Sequence, residues 1–185
     1  MEWFTLFMIN NKDCQEKAYN EIVSVMGEDC NKISYADRPK LPYLVACINE
    51  CLRMRTEDPL GIPRGAVEDI EINGYFMPKG AKVHHYLYAF GMNETVFENV
   101  NKFQPDRWLT NDQVHLKQML NHLVPFSVGP RSCFGKNLSE LEVFVVCSNI
   151  LLNFELSSYN GKPVDDFEIF GIHPPEFPVK LIKRK

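Results

Sequence analysis

Apolar residues recur at roughly helical spacing from Glu2 to Val25 (Phe4, Phe7 and Met8, then Ala18, Ile22, Val25 and Met26), and Asn10, Asn11 and Asp13 break the run with a capping signal. The pattern predicts two helices joined near residue 11. Leu41-Pro42 opens a third helix, from Tyr43 to about Arg55, with proline in its first turn and Leu44, Ile48 and Leu52 on one face. From Asp58 to Val83 the period changes to short alternating runs. Asp69-Ile70-Glu71-Ile72 and Tyr75-Phe76-Met77 flank Asn73-Gly74, a strong hairpin signal. Val83 to Tyr88 reads as a further strand, and residues 95 to 112 as an irregular polar segment carrying aromatic residues. A last helix runs from about Gly135 to Leu151, with Leu138, Leu141, Val145 and Leu152 toward the core, and short strands finish the chain at Val179 to Lys185. The elements describe an α+β chain, mainly helical, without repeats or an internal domain boundary.

Composition changes this picture little. The 185 residues are 45% hydrophobic and 12% aromatic, enough for one domain or a large piece of a bigger one. Twenty basic residues against 24 acidic ones give a net charge of -4, and the one basic run is Lys180 to Lys185, so nucleic-acid binding is not indicated. The six cysteines form no short-loop framework and no Cys-x-x-Cys pair, which points to a reduced compartment. Met1 to Asn10 is apolar but too short to span a membrane and lacks a basic region and a cleavage site, so it is neither signal peptide nor anchor. A cytoplasmic location is expected for the chain as it stands.

The chemistry concentrates between Phe126 and Gly135. Gly129 permits a turn with positive φ, and Gly135 lets a bulky ring approach the backbone. Cys133 falls just before the last helix, where unpaired N–H groups and the positive dipole end favour a thiolate. Arg131 supplies a permanent cation, Phe126 an apolar wall beside the sulfur, and Pro125 and Pro130 stiffen the loop. The spacing Phe-x-x-Gly-x-Arg-x-Cys-x-Gly resembles the heme-binding loop of the heme-thiolate monooxygenases, the cytochrome P-450 family. At ordinary residue usage it arises by accident in a chain this long with odds on the order of 1 in 10⁴ or less. The resemblance implies that Cys133 is the axial ligand of a heme iron and that Phe126, Gly129, Arg131 and Gly135 bind the cofactor. It also implies the C-terminal portion of the family's fold: short β-hairpins, then a cysteine heme loop before the last long helix.

Other positions gain meaning from that resemblance. Glu50 and Arg53, three residues apart on the third helix, are by themselves a surface pair worth a few tenths of a kcal/mol. With Arg107 of Gln104-Pro105-Asp106-Arg107 they match the family's buried charge triad, a structural lock. Arg64 sits where many relatives place a basic residue on a heme propionate; a solvated strand-edge arginine is the equal alternative. Glu57 to Ile62 and the turn Ile169 to His173 correspond to substrate-facing stretches, where Leu60, Ile62 and Phe170 fit an apolar small-molecule substrate. Lys117 and Lys136 could receive an acidic electron-donating reductase. His84 and His85, adjacent in a strand, point to opposite faces and cannot chelate one ion. His115 and His122 could share a helix face but lack further ligands, and Cys47 and Cys51 read as small core residues. Thr56, Gly91, Asn93, Asp106 and Ser139 stand where the family more often has Pro, His, Asp, Glu and Ala.

The resemblance covers nearly all of residues 1–185, as a single partial domain. The family's oxygen-activation helix, distal heme wall and microsomal anchor lie upstream of a Glu-Trp like Glu2-Trp3, so the chain alone is expected to be inactive, with no catalytic residue of its own. A longer parent of the microsomal kind would sit at the endoplasmic reticulum membrane. Three functions compete: an O2-dependent monooxygenase, a silent remnant keeping one heme face, and a non-catalytic heme-binding or partner-complementing fragment. Exposed apolar surface along residues 3 to 8 and around the heme face would drive the last of these.

Overall fold

The structure, a computed structural model, describes residues 1–165 and 173–184. Helices α1 (Glu2–Asn10) and α2 (Lys12–Met26) are separated by the single residue Asn11. The capping signal there acts differently from expectation. Asn11 Nδ2 donates back to the Phe7 carbonyl at 2.9 Å, and Asn10 exchanges two bonds with the Val164 backbone, at 2.7 and 2.8 Å. These amides thus satisfy the exposed end of α1 and tie down a distant loop. A 3-10 turn (Tyr35–Lys40) opened by a Ser34–Asp37 capping box leads to α3 (Pro42–Met54), whose first helical residue is Pro42.

Trp3, Phe4, Leu6, Phe7 and Met8 of α1 are all buried. The expected exposed surface along residues 3 to 8 is therefore absent, because α1 packs against α2, α3 and a C-terminal strand. Phe7 stacks on Phe103 with ring centroids 4.8 Å apart, and Arg55 lies over the Trp3 ring at 4.9 Å. This core takes in Ala18, Ile22, Leu44, Cys47, Ile48, Cys51 and the C-terminal half of α6 (Lys136–Asn153), including Cys147, Leu151 and Leu152. Val25 lies outside it and is exposed.

Two small antiparallel pairs follow α3. Strands β2 (Ile70–Ile72) and β3 (Tyr75–Met77) form the predicted hairpin, with Asn73 and Gly74 both at positive φ, 50° and 81°, as the tight turn requires. Strand β1 (Arg64–Gly65) pairs with β4 (Lys82–Val83). The strand expected from Val83 to Tyr88 thus stops after Val83. Its partner begins at Arg64, where Pro63 withholds the next backbone donor. His84 and His85 consequently lie beyond the strand, both exposed, and the chain turns into α4 (Leu87–Gly91).

Residues 95 to 112 are largely irregular apart from a 3-10 turn at Pro105–Leu109. Helix α5 (Gln113–His122) is capped by Asp112, whose side chain accepts from the Val114 and His115 amides at 3.0 Å. It buries only Met119, so no apolar stripe marks it in the sequence. A second core of Val96, Phe97, Val100, Trp108 and Met119 lies beside α3 through Ala46. After a 3-10 turn at Gly129–Arg131 comes α6, then β5 (Phe154–Ser158) paired with β6 (Val179–Lys183). No helix among the described residues is long and apolar enough to cross a membrane.

Candidate cofactor-binding site

The cysteine loop folds back on itself through its own backbone. The Cys133 amide donates to the Phe126 carbonyl at 2.9 Å, Ser127 to Val124 at 3.0 Å, and Ser132 to Gly129 at 3.0 Å. Gly129 takes φ 75°, a left-handed conformation open to glycine at little cost, and Ser127 shares that region at φ 58°. Helix α6 starts at Lys136 with Gly135 as its N-cap, so Cys133 stands two residues before the cap, a little further out than its sequence position implied. The loop carries Cys133 to the surface.

Around the exposed Cys133, Val128 is 69% accessible, Leu138 61% and Phe134 fully so. Leu138 and Leu141 were expected to face the core. Both are exposed instead, because the N-terminal half of α6 extends past the layer formed by α1, α2 and α3, while Cys147, Leu151 and Leu152 reach it. The cysteine thus shares its loop and the following helix turn with apolar side chains that no described element covers. A Cβ added at Gly135 would meet only the Cys133 Sγ, at 3.7 Å, so glycine keeps the space beside the sulfur open. The Arg131 guanidinium is exposed and has no hydrogen-bond or carboxylate partner among the described residues. An accessible thiol, an uncovered apolar rim, an open glycine and a free cation fit a flat, apolar, anionic group bearing a thiophilic metal.

Glu50 and Arg53 lie on the opposite side of α3 from solvent and are completely buried. Arg53 donates Nε to Glu50 Oε2 and Nη2 to Oε1, each at 2.9 Å. Arg107 Nε and the Gln104 amide reach Oε1 at 3.1 and 3.0 Å, and Trp108 Nε1 reaches Oε2 at 2.9 Å. The remaining guanidinium protons go to carbonyls: Arg53 to Gly91 and Val100, Arg107 to Glu98, all at 2.8 Å. Every charge is thereby hydrogen-bonded, the condition under which a buried ion network is tolerated. Trp108, the Gln104 amide and the three carbonyl partners were not foreseen. A tryptophan next to an ion network is the signal that could have found it, since a buried indole N–H needs an acceptor.

Arg64 is half-buried on β1, opposite Val83, and has no hydrogen-bond or ion-pair partner among the described residues. Leu60 and Ile62 are exposed on the loop between α3 and β1. The stretch Ile169 to His173, with Phe170, lies outside the described residues except for His173, which meets the Glu2 carboxylate at 3.1 Å. His122 Nδ1 approaches the Gln118 carbonyl at 2.9 Å, and among the described residues no three metal-ligating side chains gather.

A loop that offers one exposed cysteine beside an open glycine, ahead of a long helix, has the donor and the space that a thiolate-ligated heme would need. The family described as Cytochrome P450 matches residues 1–181. A probable cytochrome P450, 519E1, of Dictyostelium discoideum is 39% identical over the whole chain, and a second, 519C1, is 40% identical over the whole chain. A zebrafish cytochrome P450 structure with progesterone superposes at a TM-score of 0.85, with 28% identity over 98% of this chain. The chain belongs to the cytochrome P450 family, whose cofactor is heme held by a cysteine thiolate. Its fold is a portion of the family's fold: it spans 41% and 40% of those two Dictyostelium relatives and 40% of the zebrafish chain.

Proposed function

We propose that Cys133 is the axial ligand of a heme lying against this loop, and that the protein to which these residues belong is an O2-dependent monooxygenase of apolar organic substrates. The observation that carries this reading is the exposed Cys133, held through its amide by the Phe126 carbonyl, on a loop and helix start whose Val128, Phe134 and Leu138 are also exposed. Heme, when bound, supplies the iron at which oxygen is activated, and a thiolate ligand enriches it in electron density. The chain's own residues have separate tasks. Phe126 would add an apolar wall beside the bound cofactor, Gly129 sets the turn, and Gly135 leaves room beside the sulfur. Arg131 and Arg64 offer unpartnered guanidiniums to the propionates. Glu50, Arg53 and Arg107 act as a structural lock between α3 and the segment leading to the loop, and none of them touches the reacting atoms.

Residues 1–185 act in this reading as one partial domain without a catalytic residue of its own. Electrons come from a reductase, with Lys117 on α5 and Lys136 at the start of α6 as exposed cations for its docking. A second reading, a heme-binding or partner-complementing fragment, is favoured by the exposed Leu138 and Leu141. Two measurements separate the readings. Heme titration with a ferrous carbon monoxide spectrum reports thiolate ligation, and reductase-driven oxidation of an apolar substrate reports activity. Ligation with no turnover supports the fragment; turnover supports the enzyme; neither sinks both.

A further inference from the structure

Between α3, α6 and the segment entering the cysteine loop lies a cavity of about 260 Å3. Val45, Ile48 and Leu52 from α3 and Val143 from α6 supply apolar walls, while Arg38 and Lys136 stand among its polar residues. Phe126, Ser127 and Val128 contribute to the lining, while Cys133, Phe134 and Gly135 do not. Its polar groups are unusually free. Neither the Arg38 guanidinium nor the Asn49 amide, both half-buried, has a hydrogen-bond or ion-pair partner among the described residues. Lys136 Nζ is 3.9 Å from Glu140 Oε1, the edge of ion-pair range.

A half-buried guanidinium without a partner loses solvation and gains nothing in return, unless an acceptor enters with a ligand. Here the acceptor can be a carboxylate, whose two oxygens match the guanidinium fork. One further acceptor site is met by the Asn49 amide. The charges Arg38, Lys136 and Glu140 sum to one positive unit, which suits a monoanion and sets a phosphate dianion against the Glu140 carboxylate. The volume lies just below the ~300 to 1,000 Å3 common for ligand sites, so the occupant is small. We infer that this cavity binds a short-chain alkyl carboxylate, its chain on Val45, Ile48, Leu52 and Val143 and its carboxylate on Arg38 and Asn49. The site is independent of the heme reading above.

The probe is n-octanoate, titrated into the full chain and followed by amide chemical shifts, with n-octanol as the uncharged control. The expected dissociation constant for octanoate is about 1 mM, a fragment-sized affinity. Shifts should centre on α3 and the first turns of α6. Octanol should bind at least about tenfold more weakly, and Arg38→Gln should weaken octanoate about tenfold while leaving octanol unchanged. Val143→Phe, which fills the wall, should abolish both. Cys133→Ser should change neither, which separates this site from the thiolate loop. No saturable shift by about 10 mM, equal affinity for octanoate and octanol, or an unaltered constant in Arg38→Gln would each overturn the inference. Loss of octanoate in Cys133→Ser would overturn it too, by placing the ligand at the sulfur.

Discussion

Glu50 accepts from Arg53, Arg107, Trp108 and the Gln104 amide while wholly buried, so each partner stabilises charges that the others would otherwise strand. Glu50→Ala leaves two guanidiniums facing each other without a carboxylate and is expected to cost about 3 to 5 kcal/mol, read from the urea midpoint. Arg107→Ala should cost less, because its side chain keeps 10% exposure and Arg53 still neutralises the carboxylate. Gly91 sets a second constraint at the same place. A Cβ there would lie 2.3 Å from the Arg53 carbonyl, so Gly91→Ala must shift α4 away from α3 and loosen the Gly91 bond to Arg53. The expected destabilisation is about 1 to 3 kcal/mol, and repacking without loss of stability would contradict it. The three charged residues of the network were legible only through the family resemblance, since Glu50 and Arg53 by spacing alone read as a surface pair. Its backbone partners were not, because a carbonyl carries no sequence signature.

Helices α3 and α6 meet through buried thiols. Burial pushes Cys147 up to about 12 and raises Cys47 and Cys51 as well, and Tyr43 on α3 is raised by the same desolvation. The stability these protonated groups contribute is full below the unfolded thiol value near 9 and is lost as pH climbs toward about 12. The urea midpoint should therefore fall steadily from pH 9 upward, and Cys147→Ala should flatten part of that slope; a midpoint flat to pH 11 would contradict it. The two halves of α6 should answer oppositely to substitution. Leu151→Ala, in the core, is expected to cost about 2 to 5 kcal/mol. Leu141→Gln, on the exposed face, should stay within about 0.5 kcal/mol while reducing self-association in light scattering. Periodicity alone assigned Leu141 and Leu152 alike to the core, of which only Leu152 is buried, because an apolar stripe does not say what covers it. The same limit hid α5, whose polar surround gave no stripe, whereas Asn73-Gly74 dictated its hairpin through backbone sterics.

At the scale of the whole chain, one face of the molecule is a finished core and the other is an apolar rim around Cys133. A porphyrin laid on this rim with its other face wet forfeits at least about 5 kcal/mol, from ~200 Å2 at 25 cal/mol per Å2. Heme affinity of the chain alone should then fall about 10³-fold or more below that of a protein enclosing both faces. The family was legible from ten contiguous residues, Phe126 to Gly135, because this loop's cysteine, its two glycines and its arginine fall at fixed offsets within one short stretch. The most direct test of the central claim, that Cys133 offers heme iron its thiolate, is the ferrous carbon monoxide spectrum of the heme-reconstituted chain and of its Cys133→Ala variant. A red-shifted Soret band in the wild type that disappears in Cys133→Ala is the expected result. A shifted band that survives the substitution, or no shifted band when heme is bound to the wild type, would contradict it.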